Sequence, residues 1–395
     1  MTLHRRRLLA AASSLLAAPV QLTLAQTSVN GRGDDSRFAF VLLRGGMDGL
    51  AAAPAIGDPD FAAARGALAE FGAAPLALPG TLFSLHPHLI GLHAMYQRGE
   101  MVLVHAAGLA YRERSHFDAQ QVLESGGNRP YELATGWLGR ALAAPGLSRS
   151  GIALTTAVPL VLRGSERVDT WAPSVLPEPS PDLVTRLEWL YAGDASLREA
   201  LLRAKGLRET PGMAMADGGG APQGRQAALA LARKAGEMLA AEHGPRIAVL
   251  EMGGWDTHAN QANPNGALAN NLRTLDAALG ALREALGAAW GRSVVLVATE
   301  FGREVAINGT MGTDHGSGGA AFLLGGAVAG GRVIGEWPGL GRAQRFEGRD
   351  LRVTTDLRAV MKGVLADHLR IAHAAIESQV FPGSSAVRKL DLLRG

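Results

Sequence analysis

Five continuous apolar runs constrain the fold of this chain more than any other feature. Phe38-Ala39-Phe40-Val41-Leu42-Leu43 stops at Arg44-Gly45-Gly46, and Met101 to Val104, Ile247 to Leu250, Val294 to Val297 and Ala320 to Leu324 share its character. A strand with one face in water alternates apolar and polar residues; a strand covered on both faces does not. The runs therefore predict a mostly parallel sheet with helices on either side. Between them, Leu268, Leu272, Leu275, Leu279, Leu282 and Leu286 recur by steps of four and three, which lines one helix face with leucine. Pro87 to Arg98, Ser115 to Gly126 and Thr355 to Leu369 are shorter helical candidates. Strands alternating with helices define a doubly wound α/β fold, whose ligands bind at the carboxyl ends of the strands.

The flanks and the middle read differently. Residues 1–25 carry Arg5-Arg6-Arg7, then an apolar stretch from Leu8 to Ala18, then a small-residue cleavage site at Thr23-Leu24-Ala25. That order is expected of an export signal, and the arginines followed by Leu8-Leu9 fit the twin-arginine address of proteins exported already folded. The expected location is periplasmic or secreted, reached through the twin-arginine export machinery. Residues 26–36 read as a linker and 37–395 as the α/β domain. Inside that domain, 163–224 holds a proline-rich stretch, two charged helical segments and a loose run from Pro211 to Gly224, the pattern of an inserted helical cap.

Composition narrows the function classes. The chain has 39 Lys and Arg against 36 Asp and Glu, but Arg5, Arg6 and Arg7 lie in the acid-free export segment, and without them the charges balance. No basic surplus remains for nucleic acid. Outside the N-terminus no apolar block approaches the roughly 20 residues that cross a bilayer, so no integral membrane segment is expected. Cysteine is absent, which excludes disulfides, a thiol nucleophile and iron–sulfur clusters. Any metal must be held by oxygen and imidazole.

The chemistry-bearing residues gather at the predicted strand ends. Arg44-Gly45-Gly46-Met47-Asp48-Gly49 follows the first run, and Gly253-Gly254-Trp255-Asp256-Thr257-His258-Ala259-Asn260 follows the run through Met252. Thr299-Glu300-Phe301-Gly302-Arg303 follows Val294 to Ala298, and Gly312-Thr313-Asp314-His315-Gly316 precedes Ala320. On one sheet edge these motifs bring together Asp48, Asp256, His258, Glu300, Asp314 and His315, a donor set for a divalent metal. Each has a plainer reading taken singly: Asp48 between glycines suits a turn, and Asp-x-His or Asp-His pairs arise by chance. Their joint placement singles them out. There is no phosphate-binding G-x-x-x-x-G-K-[ST] loop, no G-x-G-x-x-G after the first strand, no G-x-S-x-G elbow and no H-E-x-x-H.

With Arg114-Ser115-His116-Phe117-Asp118 added, these motifs resemble an exported bacterial family known as domain of unknown function 1501, over nearly the whole mature chain. That family is similar to the alkaline phosphatase and sulfatase superfamily, which hydrolyses or transfers phosphate and sulfate esters at a two-metal site. The resemblance implies an alkaline-phosphatase-like fold, a metal-binding role for Asp48, an opening position in the second metal site for Asp256, and the late metal-binding histidine for His315. The chain also departs from the superfamily. Glu300 stands for an Asp and Phe301 for the ligand beside it, His258 follows Asp256 by two residues, and Asn260 holds the place four after. Arg112 occupies the nucleophile position, so Ser115 is the nearest hydroxyl. Ser115 reads either as the N-cap of a helix starting at His116 or as a nucleophile.

The leading expectation is an exported hydrolase of phosphate or sulfate esters using Zn²⁺, Mn²⁺ or a similar divalent ion. Asp48, Asp256, His258 and His315 are the principal ligands, joined by Glu300 and Asp314. Arg44, Arg112, Arg114 and Arg303 are placed to clamp an anionic small-molecule ester. Two alternatives remain open: a non-catalytic binding or assembly protein on the same fold, and a serine hydrolase using Ser115.

Overall fold

Both faces of the central strands are apolar because both are covered. A computed structural model describes residues 35–144, 151–173, 179–209 (backbone only from 206) and 224–394. The export-like segment 1–25, most of the linker and the loose run 211–223 lie outside the described residues. Among the described residues nine strands form one sheet: β1 (Arg37–Leu43), β2 (Met101–Gly108), β3 (Gly151–Ala153), β4 (Val168–Thr170), β5 (Ile247–Met252), β6 (Ser293–Thr299), β7 (Gly319–Leu324), β8 (Arg332–Ile334) and β9 (Thr355–Asp356). Their order is β8-β2-β7-β6-β1-β5-β3-β4, with β9 alongside β2. The fold is α/β with a mostly parallel sheet; only β7 runs antiparallel, between β6 and β2.

The helices used below are α1 (Gly49–Ala52), α2 (Phe61–Arg65), α3 (Ile90–Gln97), α4 (His116–Ser125), α5 (Trp137–Leu142), α6 (Pro181–Leu190), α7 (Ala195–Glu209), α8 (Gly224–Ala240), α9 (Ala267–Leu286) and α10 (Leu357–Gly363). Ala39, Val41 and Leu43 of β1 face a core shared with α3, α8 and α9, where the predicted leucine stripe of α9 is buried. Phe38, Phe40 and Leu42 face a second core against α4, α5 and α10, built around Trp137 and Phe381. The period-two side-chain alternation of β1 thus feeds two hydrophobic layers, which explains its unbroken apolar run.

One element differs from the sequence expectation. The helix expected over Thr355 to Leu369 starts later, because Thr355 and Asp356 extend the sheet beside Ala107 and Gly108. The Asp356 carboxylate then accepts from Arg358 N at 2.8 Å and caps α10. Within 163–224, β4 is the sheet's edge strand on β3, and α6 and α7 follow it. No helix among the described residues is long and apolar enough to cross a membrane.

Register decides where the site lies. Leu43 of β1 is level with Met252 of β5 on one side and Thr299 of β6 on the other. Three loops, 44–48, 253–258 and 300–303, therefore leave the sheet side by side. β7 adds a fourth because it is antiparallel. Its first residue, Gly319, lies opposite Ala107 near the carboxyl end of β2, so the loop that precedes it opens on the same edge.

Candidate metal centre

The loops are held close by residues chosen for space and anchorage. Gly45 has φ +122, and a Cβ there would lie 2.6 Å from Asp256 N, so only glycine lets loop 44–48 pass loop 253–258. Trp255 is fully buried and its indole donates to Met252 O at 3.0 Å, which pins the chain beside Asp256. Gly302 passes so near Gly318 O that a Cβ would sit 1.8 Å away. His116 is the first residue of α4, behind a turn in which Arg114 adopts φ 63, a left-handed conformation that non-glycine residues rarely take.

Three imidazoles and one carboxylate converge there. His315 Nε2 lies 3.0 Å from His116 Nε2, 2.9 Å from His258 Nε2 and 3.2 Å from Asp256 Oδ1. Asp256 Oδ1 is 2.9 Å from His258 Nε2, and its Oδ2 is 3.4 Å from His116 Nε2. Each ring is fixed through its other nitrogen. His116 Nδ1 donates to Glu300 Oε1 at 2.8 Å, His315 Nδ1 to Arg114 O at 2.9 Å and His258 Nδ1 to Asp314 Oδ1 at 3.2 Å. Carboxylates and carbonyls only accept, so each Nδ1 carries a proton toward its partner, and a ring holding that single proton turns its Nε2 lone pair toward the others. Bare lone pairs at such distances repel. A tetrahedral ion with bonds of about 2.0–2.1 Å holds neighbouring donors about 3.3 Å apart, close to what is seen. Carboxylate or carbonyl acceptors behind imidazoles are also the usual supports of metal-ligating histidines. The donor set fits a divalent ion. Its tight core is His116, Asp256 and His315, whose ligand atoms all lie within 4.8 Å of one another; His258 joins through His315 and Asp256.

The electrostatics follow from the same contacts. The hydrogen bond to Glu300 holds the His116 imidazole above its ordinary value, whereas burial holds His315 below. Burial alone would raise Asp256, but the hydrogen bond and charge of Arg303 keep its carboxyl below the usual range. Glu300 is 1% exposed and burial works against its charge, yet bonds from His116, Gln120 and Thr299 keep it ionised. Phe301 lies against both rings of the core, with centroids 4.6 Å from His116 and 5.1 Å from His315.

The residues singled out from sequence divide into three groups. Asp256, His258 and His315 meet directly. Glu300 and Asp314 stand behind histidines, and Arg303 donates to Asp256 Oδ1 at 2.7 Å with its guanidinium buried. Asp48 is apart. Its Oδ1 accepts from Leu50 N and Ala51 N as the cap of α1, while its Oδ2 accepts from Arg65 Nη2 and Gln261 Nε2, both at 2.5 Å. Arg114 is held by Asp350 and Glu347 and contributes its carbonyl. Ser115 Oγ accepts from Asp118 N at 3.5 Å as the N-cap of α4.

His116 was not among the expected ligands. Its motif is plain in the sequence, but a histidine at the first position of a helix reads as capping context, and nothing local says that Glu300 sits behind it. The available signal was its place after β2, another strand that ends on this edge.

The chain belongs to the family described as protein of unknown function, DUF1501, which matches residues 104–380. No curated protein matches the sequence. Among solved structures it is similar to a sulfatase from Pseudoalteromonas sp. (12% identity, covering 91% of this chain and 71% of that one, TM-score 0.43). It is also similar to the phosphonate monoester hydrolase of Agrobacterium radiobacter (13% identity, 85% and 74% covered, TM-score 0.41). A third is the zinc complex of the C-terminal periplasmic domain of EcEptC from Escherichia coli (10% identity, 73% of each chain, TM-score 0.38).

Proposed function

We propose that this protein is an exported, metal-dependent hydrolase of phosphate or sulfate esters, with His116, Asp256 and His315 as core ligands and His258 as a fourth arm. The observation that carries the reading is the convergence of three imidazole Nε2 atoms on Asp256, with an acceptor behind each Nδ1. When bound, a divalent ion would polarise a phosphoryl or sulfuryl oxygen of the ester. The chain's own residues do the rest. Glu300, Asp314 and Arg114 O fix the rings, and Arg303 offsets the charge of Asp256. The side chains of Asp256 and His258, 44% and 45% exposed, leave the centre open to a ligand.

Of the four arginines beside the motifs, three are engaged. Arg44 bridges Glu124 and Glu251, Arg114 binds Glu347 and Asp350, and Arg303 binds Asp256. Arg112 differs. Among the described residues no carboxylate reaches ion-pair distance of it, and its Nη1 donates only to Tyr111 O at 3.2 Å. It is the guanidinium with donors to spare for an ester anion. Non-catalytic binding on the same fold is the second reading, favoured by Ser115 serving as a helix cap.

Chelator-treated protein reloaded with Zn²⁺ or Mn²⁺ should hydrolyse p-nitrophenyl phosphate or sulfate, and the stripped protein should not. Arg112→Met should raise KM more than it lowers kcat. Metal-loaded protein that turns over neither ester would favour the second reading. Export is a separate part of the proposal: Arg5→Lys with Arg6→Lys should leave the protein uncleaved in the cytoplasm, and an unchanged periplasmic yield would remove it.

A further inference from the structure

We propose that the centre holds one divalent ion and not two, with buried arginines filling the electrostatic role of a second. The inference rests on the metal reading above and concerns how many ions the residues can hold. The resemblance implies a two-metal site in which Asp48 is a ligand, and the geometry around Asp48 does not fit that. An ionised carboxylate offers about four lone-pair directions. Leu50 N, Ala51 N, Arg65 Nη2 and Gln261 Nε2 use them all. Arg65 is fully buried, and its Nη1 is tied to Val305 O at 3.0 Å, so it cannot swing into water to make room. An ion at Asp48 would displace the guanidinium and leave a positive charge unpaired in the interior, which is strongly unfavourable.

The remaining groups balance for one ion. Asp256, Glu300 and Asp314 touch the three imidazoles and carry three negative charges, while Arg303 on Asp256 carries one positive charge. The sum of minus two is neutralised by a single divalent cation. Asp48 and Arg65 cancel each other separately. A second ion would leave two uncompensated positive charges in a partly buried site. Among the described residues, the tight group of three potential ligands is His116, Asp256 and His315, and Asp48 is not in it.

The test is metal stoichiometry. Full-length protein, stripped with chelator and dialysed against Mn²⁺ or Zn²⁺, should bind one ion per chain by elemental analysis. Its Mn²⁺ form should give the six-line paramagnetic resonance spectrum of an isolated ion. Asp48→Asn should still bind one. Because that change leaves Arg65 without its partner, the double variant Asp48→Asn with Arg65→Gln keeps the test sound if the single variant folds poorly, and it too should bind one. His315→Ala and Asp256→Asn should weaken binding at least tenfold. Two ions in the wild type, falling to one in Asp48→Asn, would overturn the single-ion inference and leave the metal reading standing. Wild type that binds no ion under these conditions would overturn both.

Discussion

Asp48 and Asp256 follow neighbouring strands whose last residues, Leu43 and Met252, are level in the sheet, and each is paired with a buried arginine. Their surroundings are nonetheless opposite. Asp48 is 1% exposed, with every lone pair occupied, and stands near the buried His105. The side chain of Asp256 is 44% exposed, spends one oxygen partly on Arg303, and turns both oxygens toward imidazole nitrogen. Carboxylates at two neighbouring strand ends can thus have opposite surroundings. The neighbouring loops make the difference: around Asp48 they supply hydrogen-bond donors, which seal it, and around Asp256 they bring the imidazole nitrogens of the proposed centre.

The largest expected effect on stability tests the sealed side. Arg65→Met would strand the Asp48 charge in the interior, and breaking a buried ion pair in this way costs about 3–5 kcal/mol. Arg303→Met should cost less, because Asp256 can turn to water while Asp48 cannot. Urea unfolding of the two variants measures the difference. Equal losses would mean that the two aspartates are not as unlike as their exposures imply.

A smaller effect comes from His105. Its Nδ1 accepts from Ala106 N at 2.8 Å, its Nε2 donates to Ala53 O at 2.9 Å, and its ring stacks on Phe83. Burial lowers its imidazole from the ordinary 6.5 to about 4. Between those values the unfolded chain binds a proton that the folded chain refuses. The neutral ring therefore contributes stability that is full above the unfolded value and is lost as pH falls toward the folded one. By pH 4.5 the loss should reach about 2–3 kcal/mol. His105→Gln should flatten the fall in stability between pH 7 and pH 4.5 by about that amount, measured against the wild type. A parallel pH profile would place acid sensitivity elsewhere, His86 being the next buried candidate, also lowered to about 4.

The sheet was legible because burial on both faces leaves an unambiguous pattern. Phe38 to Leu43, Ile247 to Leu250 and Val294 to Val297 became β1, β5 and β6, and the leucine stripe became α9 almost to the residue. The antiparallel direction of β7 was not legible, since an apolar run has no arrow. It is nonetheless the reason that the loop carrying Asp314 and His315 reaches the centre at all. The site was legible as a set of motifs on one edge but not as a set of roles. Asp48 and Asp256 look alike in sequence because Arg65 and Gln261, which seal Asp48, lie 17 and 213 residues from it. Glu300 reads as a ligand from its motif, which carries no mark of the His116 ring, 184 residues away, on its Oε1. Roles set by distant donors leave no local trace.

Ser115 gives the smallest effect and separates two readings of one residue. It has the extended backbone of an N-cap, φ −88 and ψ 123, and its Oγ accepts from Asp118 N at 3.5 Å, a long contact. A cap of normal strength is worth about 0.5–2 kcal/mol, and a long bond belongs at the bottom of that range. Ser115→Ala should therefore cost about 0.5–1 kcal/mol, read from urea unfolding. On the proposed ester hydrolysis its effect should be no more than severalfold, because α4 carries His116 in its first turn and a frayed turn loosens one proposed ligand without removing a reacting group. Ser115→Asp, which keeps a cap acceptor, should restore the stability. A nucleophile behaves otherwise: its loss removes the covalent step, lowers kcat by orders of magnitude, and is not repaired by any cap. A collapse of kcat in Ser115→Ala with stability unchanged would move the chemistry onto the hydroxyl. The imidazole cluster would then be its support.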